Sequence, residues 1–440
     1  MNTPIYDFIR NYAASDMLRC HMPGHKGRII APEIYTAPDI TEISGADSLF
    51  EADGIIAESE RNMSQLYGTA ETAYSAGGST LCIQAMLALM KQENRRIFAV
   101  RNVHRAFLNA AALLDLDVEW LIPHYDGGIL SGKITSEDVE KELKSCNTPA
   151  CLYVTSPDYT GRTADIKALA EICHRCGAKL LVDNAHGAHL AFLGENIHPI
   201  FLGADLCCDS AHKMLPALTG GAMLHCGSEE YCGRLKQAMS LFASTSPSYL
   251  IMASLDLCNR YIAENIRKDT AENEQLLKEL RRSLSGIVSF ADGEPFHVTI
   301  KAAESGFRGT ELSDKLRENG VECEYADNEF VILLMSPLCR KADYERLVTA
   351  LERATAQCEK LSYSPSEFYL PKPKKTMSIR QAVFAPSENI PVEKAEGRIC
   401  GAVKVHCPPA IPIAVSGEII TEEYINIFKR YGISDVNVVK

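Results

Sequence analysis

Between about residues 70 and 230, short apolar runs alternate with helical patterns, and this alternation restricts the possible folds more than any other feature of the chain. Ile97 to Val100, Val118 to Ile122, Cys151 to Thr155, Leu180 to Asp183 and Gly221 to His225 read as strands. Ser79 to Lys91, His104 to Leu114 and Ala164 to Cys176 read as helices. Strands buried on both faces carry near-continuous apolar runs, and parallel strands need a crossover long enough for a helix. The pattern predicts an α/β fold with a mainly parallel sheet and flanking helices. In such sheets ligands bind beyond the carboxyl ends of the strands, so polar residues at those ends are the candidates for function.

Downstream, a linking helix is expected from about Ser248 to Leu284. Phe296 to Ile300, the helical Glu311 to Glu318, the strands Glu322 to Tyr325 and Phe330 to Leu334, and a helix near Lys341 to Leu361 suggest a smaller α+β unit. Pro371-Lys372-Pro373-Lys374-Lys375 reads as a linker, since proline breaks regular structure. Turns are expected at Pro408-Pro409 and Ser416-Gly417. The predicted organisation is an N-terminal segment (1–50), a large domain (51–270), a small α+β domain (271–370) and a C-terminal accessory domain (371–440).

A net charge of −12 without a Lys/Arg-rich block argues against nucleic-acid binding and against an anionic membrane patch. The amino terminus, Met1 to Asp7, lacks a basic region followed by an apolar core, and no segment approaches a membrane span. A soluble, cytoplasmic protein is expected. Sixteen cysteines, scattered through apolar runs in a chain too large to need disulfides, fit reduced thiols. Cys173 and Cys176 form a lone CxxC at a helix end with no second pair to complete a zinc site, so helix packing is the better account and no metal site is expected.

Lys213 follows Asp209-Ser210-Ala211-His212, thirty residues beyond the Asp183 that ends an apolar run. An amine able to form a Schiff base and a carboxylate at a strand end are the groups that pyridoxal phosphate (PLP) chemistry needs, the carboxylate keeping the pyridinium nitrogen protonated. Gly77-Gly78-Ser79-Thr80 opens a helix, a pattern that suits either an anion cradle or an ordinary cap. Ser210 and His212 offer further phosphate contacts, and His104, at a helix start after a strand, can lie against an aromatic cofactor.

The order and spacing of cradle, histidine, strand-end Asp and Ser-x-His-Lys resemble the fold-type-I PLP enzymes. More narrowly, the chain resembles the bacterial ornithine/lysine/arginine decarboxylase family in its short form without a wing domain. The resemblance rests on His21-Met22-Pro23-Gly24-His25-Lys26-Gly27, Asp39-Ile40-Thr41-Glu42, Gly54-Ile55-Ile56-Ala57-Glu58, Arg101-Asn102-Val103-His104 and Thr155-Ser156-Pro157-Asp158-Tyr159-Thr160-Gly161. It continues through Asp183-Asn184-Ala185-His186-Gly187-Ala188-His189, Ser210-Ala211-His212-Lys213, Ser244-Thr245-Ser246-Pro247-Ser248-Tyr249 and Pro408-Pro409-Ala410-Ile411-Pro412.

The resemblance implies a PLP-dependent transferase-like fold in which Lys213 holds the cofactor, Asp183 meets the ring nitrogen, His104 stacks on one ring face and Ala185 packs on the other. Ser79, Thr80, Ser210 and His212 would bind the phosphate, with His186 near the substrate. A homodimer with shared active sites is also implied, with the His25-Lys26 segment or Ser244-Thr245 reaching the partner's site. The implied activity is decarboxylation of a basic L-amino acid, arginine, lysine or ornithine. Other PLP reactions (transamination, aldol cleavage, elimination) and a silent binding relative are the alternatives. Some pocket positions depart from the family pattern: Gly77 and Ile83 replace Asn, Ala106 replaces Ser, Asn184 replaces Glu, Ser48 and Phe50 replace Asp and His, and Cys407 and Ala410 replace Tyr and Gly. Glu42, Asp47 and Asp158 are candidates for the substrate's distal cation, and each also suits a capping or solvated role.

Overall fold

The computed structural model describes the chain except residues 16, 24, 29–35, 126, 363–367 and 404–410. In chain order the strands are β1 (Glu71–Ser75), β2 (Arg96–Val100), β3 (Val118–Leu121), β4 (His124–Tyr125), β5 (Gly132–Lys133), β6 (Ala150–Thr155), β7 (Lys179–Asp183), β8 (Leu206–Asp209) and β9 (Ala222–Cys226). They are followed by β10 (His297–Lys301), β11 (Tyr325–Ala326), β12 (Phe330–Leu334), β13 (Ser387–Pro391) and β14 (Asp435–Val439). The chain divides into two compact units, Met1–Leu89 with Leu180–Ala271, and Met90–Lys179 with Glu272–Lys440.

The first unit carries strands in the order β1-β9-β8-β7. β7 and β8 run parallel, and β9 runs antiparallel to β8 and to β1. Helix Gly78–Gln92 buries Cys82, Ile83, Ala85, Met86 and Leu89, the near-continuous apolar surface expected of an interior helix. Helix Pro4–Ala13, with proline at its start, packs on helices Ile55–Tyr67 and Tyr249–Glu264. The buried Asp256 joins all three, accepting from the Tyr6 N–H at 3.0 Å and the Ser59 hydroxyl at 2.6 Å; burial pushes its carboxyl up to about 6.

In the second unit β6-β2-β3 is parallel throughout, with helix Arg105–Leu114 crossing from β2 to β3. A small antiparallel sheet has the order β10-β12-β11, and β13 pairs with β14. Residues of 371–440, among them Val392, Ile420, Tyr424, Phe428 and Val438, share one core with Leu130, Phe330 and Ile332. Helix Ile379–Phe384 lies against helix Arg105–Leu114, its Arg380 donating to the Ala112 and Leu113 carbonyls.

Several expected elements differ in extent. The linking helix is two helices, Tyr249–Glu264 and Ile266–Leu284, because Asn265 leaves helical geometry and its carbonyl accepts from the Lys268 and Asp269 N–H groups, starting a new helix. The strand expected at Glu322 to Tyr325 contracts to β11, since only Tyr325 and Ala326 pair with β12. The helix expected to reach Leu361 ends at Gln357. The turn expected at Pro408-Pro409 lies outside the described residues. Cys173 is buried in helix Ile166–Arg175 and Cys176 caps it; every described cysteine is a free thiol. Among the described residues, no helix is long and apolar enough to cross a membrane.

Candidate active site

β7 ends in Asp183, whose residue is only 2% exposed. A carboxylate so placed is costly without partners. Its Oδ1 accepts from the Ala185 N–H at 3.2 Å and, weakly, from the Cys208 thiol at 3.6 Å. The parallel register sets Asp183 opposite Cys208, so Asp209 at the end of β8 and Ser210 after it emerge beside it.

Beyond β8 the chain makes one helical turn, Ala211–Met214, which carries the half-buried Lys213. The Ser210 hydroxyl donates to that of Ser79 at 2.8 Å, joining this turn to the start of helix Gly78–Gln92. The Gly78 N–H bonds the Gly220 carbonyl at 2.8 Å, and His212 bonds the Gly221 carbonyl through both its N–H and its Nδ1. Burial lowers the His212 pKa, and the Lys213 charge adds to the effect. Gly78 adopts a φ of +69°, which favours glycine, although a side chain there would meet nothing within 4 Å; its role is conformational.

The turn ahead of this helix is organised by Ser75, whose hydroxyl accepts from the Gly77 N–H and donates to the Gly78 carbonyl. Ser79 instead faces Ser210. Thr80 is exposed on the same first turn. A cavity of about 230 Å³ adjoins it, lined by Phe50, Gly77, Thr80, Gln84, Phe242 and Ser244.

Behind these loops lies a polar cluster that the sequence reading did not assemble. The fully buried Asp209 accepts from Asn184 Nδ2 at 2.7 Å and pairs with His198 Nε2 at 3.0 Å and His225 Nε2 at 3.4 Å. Burial works to raise the Asp209 pKa, but the two imidazoles outweigh it and hold the carboxyl well below its ordinary value. Thr72 bonds His225 Nδ1 at 2.8 Å, and the Tyr67 ring packs against both imidazoles. Gly187 is required beside this cluster, because a Cβ there would fall 1.9 Å from Asn184 Oδ1. Asp209 was visible immediately before the Ser-x-His-Lys motif; its partners carried no spacing signal.

His186 is buried and Ala185 half-buried on the turn that follows Asp183. His104 belongs to the second unit, half-buried at the cap of helix Arg105–Leu114, where Nδ1 accepts from the Ala106 N–H at 3.1 Å. Two of the carboxylates weighed for substrate binding have local structural roles. Asp47 gathers the Gly54, Ile56 and Ala57 N–H groups at the start of helix Ile55–Tyr67. Asp158 is buried, and its Oδ1 accepts from Thr160 N, Thr160 Oγ1 and Arg162 N. Glu42 is exposed.

The donor set of the first unit fits PLP. Two facing hydroxyls at a helix start suit a phosphate, a buried strand-end carboxylate suits a pyridinium N–H, and the amine of Lys213 lies on the turn that also carries Ser210. The thiols beside it are inert, since burial pushes Cys82 up to about 12 and raises Cys207 and Cys208 as well.

The chain matches the sequence profile of the Orn/Lys/Arg decarboxylase major domain over residues 3–303. An arginine decarboxylase of Bacillus subtilis is 29% identical over 97% of this chain and 93% of its own length. One from Halalkalibacterium halodurans is also 29% identical, over 98% and 94% respectively. A lysine decarboxylase of Francisella novicida superposes with a TM-score of 0.82 at 16% identity, covering 100% of this chain and 81% of that one. Lysine decarboxylase A from Pseudomonas aeruginosa gives 0.82 at 18% identity, covering 99% and 80%. The structural likeness establishes the fold as that of the fold-type-I enzymes. With the profile spanning most of its length, the chain belongs to the Orn/Lys/Arg decarboxylase family of PLP-dependent enzymes.

Proposed function

We propose that the chain decarboxylates a basic L-amino acid, arginine, lysine or ornithine, to the corresponding amine with PLP as cofactor, as a cytoplasmic homodimer with shared active sites. The observation that carries this reading is the convergence, within one compact unit, of the buried Asp183, the Lys213 turn and the Ser79–Ser210 hydroxyl pair. Family membership and the arginine and lysine decarboxylases among its relatives support the class of substrate.

When bound, PLP supplies an electron sink for the pair released as carbon dioxide leaves. Lys213 would hold the cofactor through its amine. Asp183 keeps a proton on the ring nitrogen. Ser79, Thr80, Ser210 and His212 hold the phosphate, the backbone N–H groups at the start of helix Gly78–Gln92 adding a favourable field. Ala185 would confine the ring, and His186 would orient the substrate. Lys213 or His186 then delivers a proton to the α-carbon.

Mass spectrometry of products from PLP-loaded protein with separate amino-acid pools tests the proposal. Agmatine, cadaverine or putrescine is the expected product, and Lys213→Ala abolishes its formation while leaving the far-ultraviolet circular dichroism unchanged. A 2-oxo acid in place of an amine, or normal turnover by Lys213→Ala, overturns it.

A further inference from the structure

At the edge strand β1, away from the loops just described, Glu71 is the direct cross-strand partner of Cys226, the last residue of β9. The chain then turns through Glu229–Tyr231 and returns Cys232, so that the Cys226 and Cys232 sulfurs lie 3.9 Å apart. A Glu71 carboxylate oxygen and the two sulfurs all fall within 4.8 Å of one another.

Two thiolates bound to one tetrahedral zinc-class ion at about 2.3 Å each lie roughly 3.8 Å apart. The observed separation is therefore already that of a metal-bound pair, whereas a disulfide needs closure to about 2.05 Å and an oxidant. The carboxylate is oriented as well: the Gly233 N–H donates to Glu71 Oε2, fixing that side chain, the kind of supporting contact that metal ligands require. Cys232 is exposed, and Glu71 and Gly233 line a cleft of about 940 Å³, which gives an entry path and room for a solvent ligand.

We propose that Cys226, Cys232 and Glu71 form a binding site for one thiophilic divalent cation of the zinc class, with two sulfur ligands, one carboxylate oxygen and an open fourth position. Binding releases the two thiol protons to solvent. Because the sulfurs bind as thiolates, uptake strengthens as pH rises. The ion clamps the end of β9 to β1 and to the turn before helix Leu235–Ser240.

The test is a titration of the full-length, metal-stripped protein with Cd²⁺ under a non-thiol reductant, following the sulfur-to-cadmium charge-transfer absorbance and its reversal by Zn²⁺. One equivalent per chain is expected. Cys232→Ser, an exposed substitution that leaves the core intact, abolishes this equivalent, as does Cys226→Ser, and Glu71→Gln weakens binding by roughly ten- to a hundredfold. A band of unchanged stoichiometry and affinity in Cys232→Ser would place the metal on other cysteines and overturn the proposal, as would the absence of any saturable band.

Discussion

A buried charged cluster in the first unit and one in the second are built on opposite plans. In the first unit Asp209 gathers partners close in sequence, Asn184, His198 and His225, all within 25 residues. In the second, Arg101 reaches 317 residues to Glu418 at 3.1 Å and donates to the Pro412 and Ile413 carbonyls, with its guanidinium 5.0 Å above the Trp120 ring. The short-range cluster braces the two strand ends that carry Asp183 and Lys213. The long-range pair staples the C-terminal portion to Arg101, the residue after β2 and three before His104. The two clusters are thus steadied by different means: local neutral donors and imidazoles around one anion, and a distant ion pair.

The pair whose partners lie far apart should be the harder to lose. Arg101→Met strands a buried Glu418 carboxylate and is expected to cost about 3–5 kcal/mol in urea unfolding, while adding Glu418→Met recovers much of the loss. An Arg101→Met protein that unfolds at the wild-type midpoint would remove the staple from this account.

Asp209→Asn removes one charge but keeps the shape, so about 1–3 kcal/mol is expected. The pH dependence distinguishes it from an ordinary packing defect. Because the folded Asp209 pKa is depressed, its contribution is complete above the unfolded carboxyl value of about 3.9 and is lost as pH falls from there towards the folded value. The gap between wild type and variant should therefore narrow on acidification below about pH 4; a gap that is constant from pH 7 to pH 2.5 counts against the carboxylate as its origin. The smallest effect is expected at the rim of the other cluster, where the Tyr424 hydroxyl donates to Glu418 Oε2 at 3.2 Å. Tyr424→Phe leaves that oxygen its Val415 N–H partner and should cost about 1 kcal/mol, read as a shift of the denaturation midpoint.

Apolar runs and helical periods made the β2, β3, β6, β7 and β9 regions legible, because strand burial writes itself directly into composition. Leu206-Cys207-Cys208-Asp209 escaped, being four residues long and half cysteine, although it is the strand that delivers Lys213. The break at Asn265 was masked by continuous helical patterning on both sides. Lys213, Asp183 and Ser79 were readable because they sit where strands and helices begin or end. Glu418 and His225 were not, since a partner found only after folding leaves no spacing to read. Asp158 carried a local clue, an Asx turn to Thr160 ahead of Gly161, that pointed to a turn rather than to substrate.

The thiols packed under the site have a practical corollary for handling the protein. Cys82, Cys207 and Cys208 are buried and held protonated, while Cys20 and Cys232 face solvent. Alkylating reagents therefore meet sulfurs of graded access, from those modified on contact to those modified only when the core opens. The slow phase of thiol labelling becomes an internal clock for opening of the sheet beneath Lys213, wound by the sequence itself and needing no added probe.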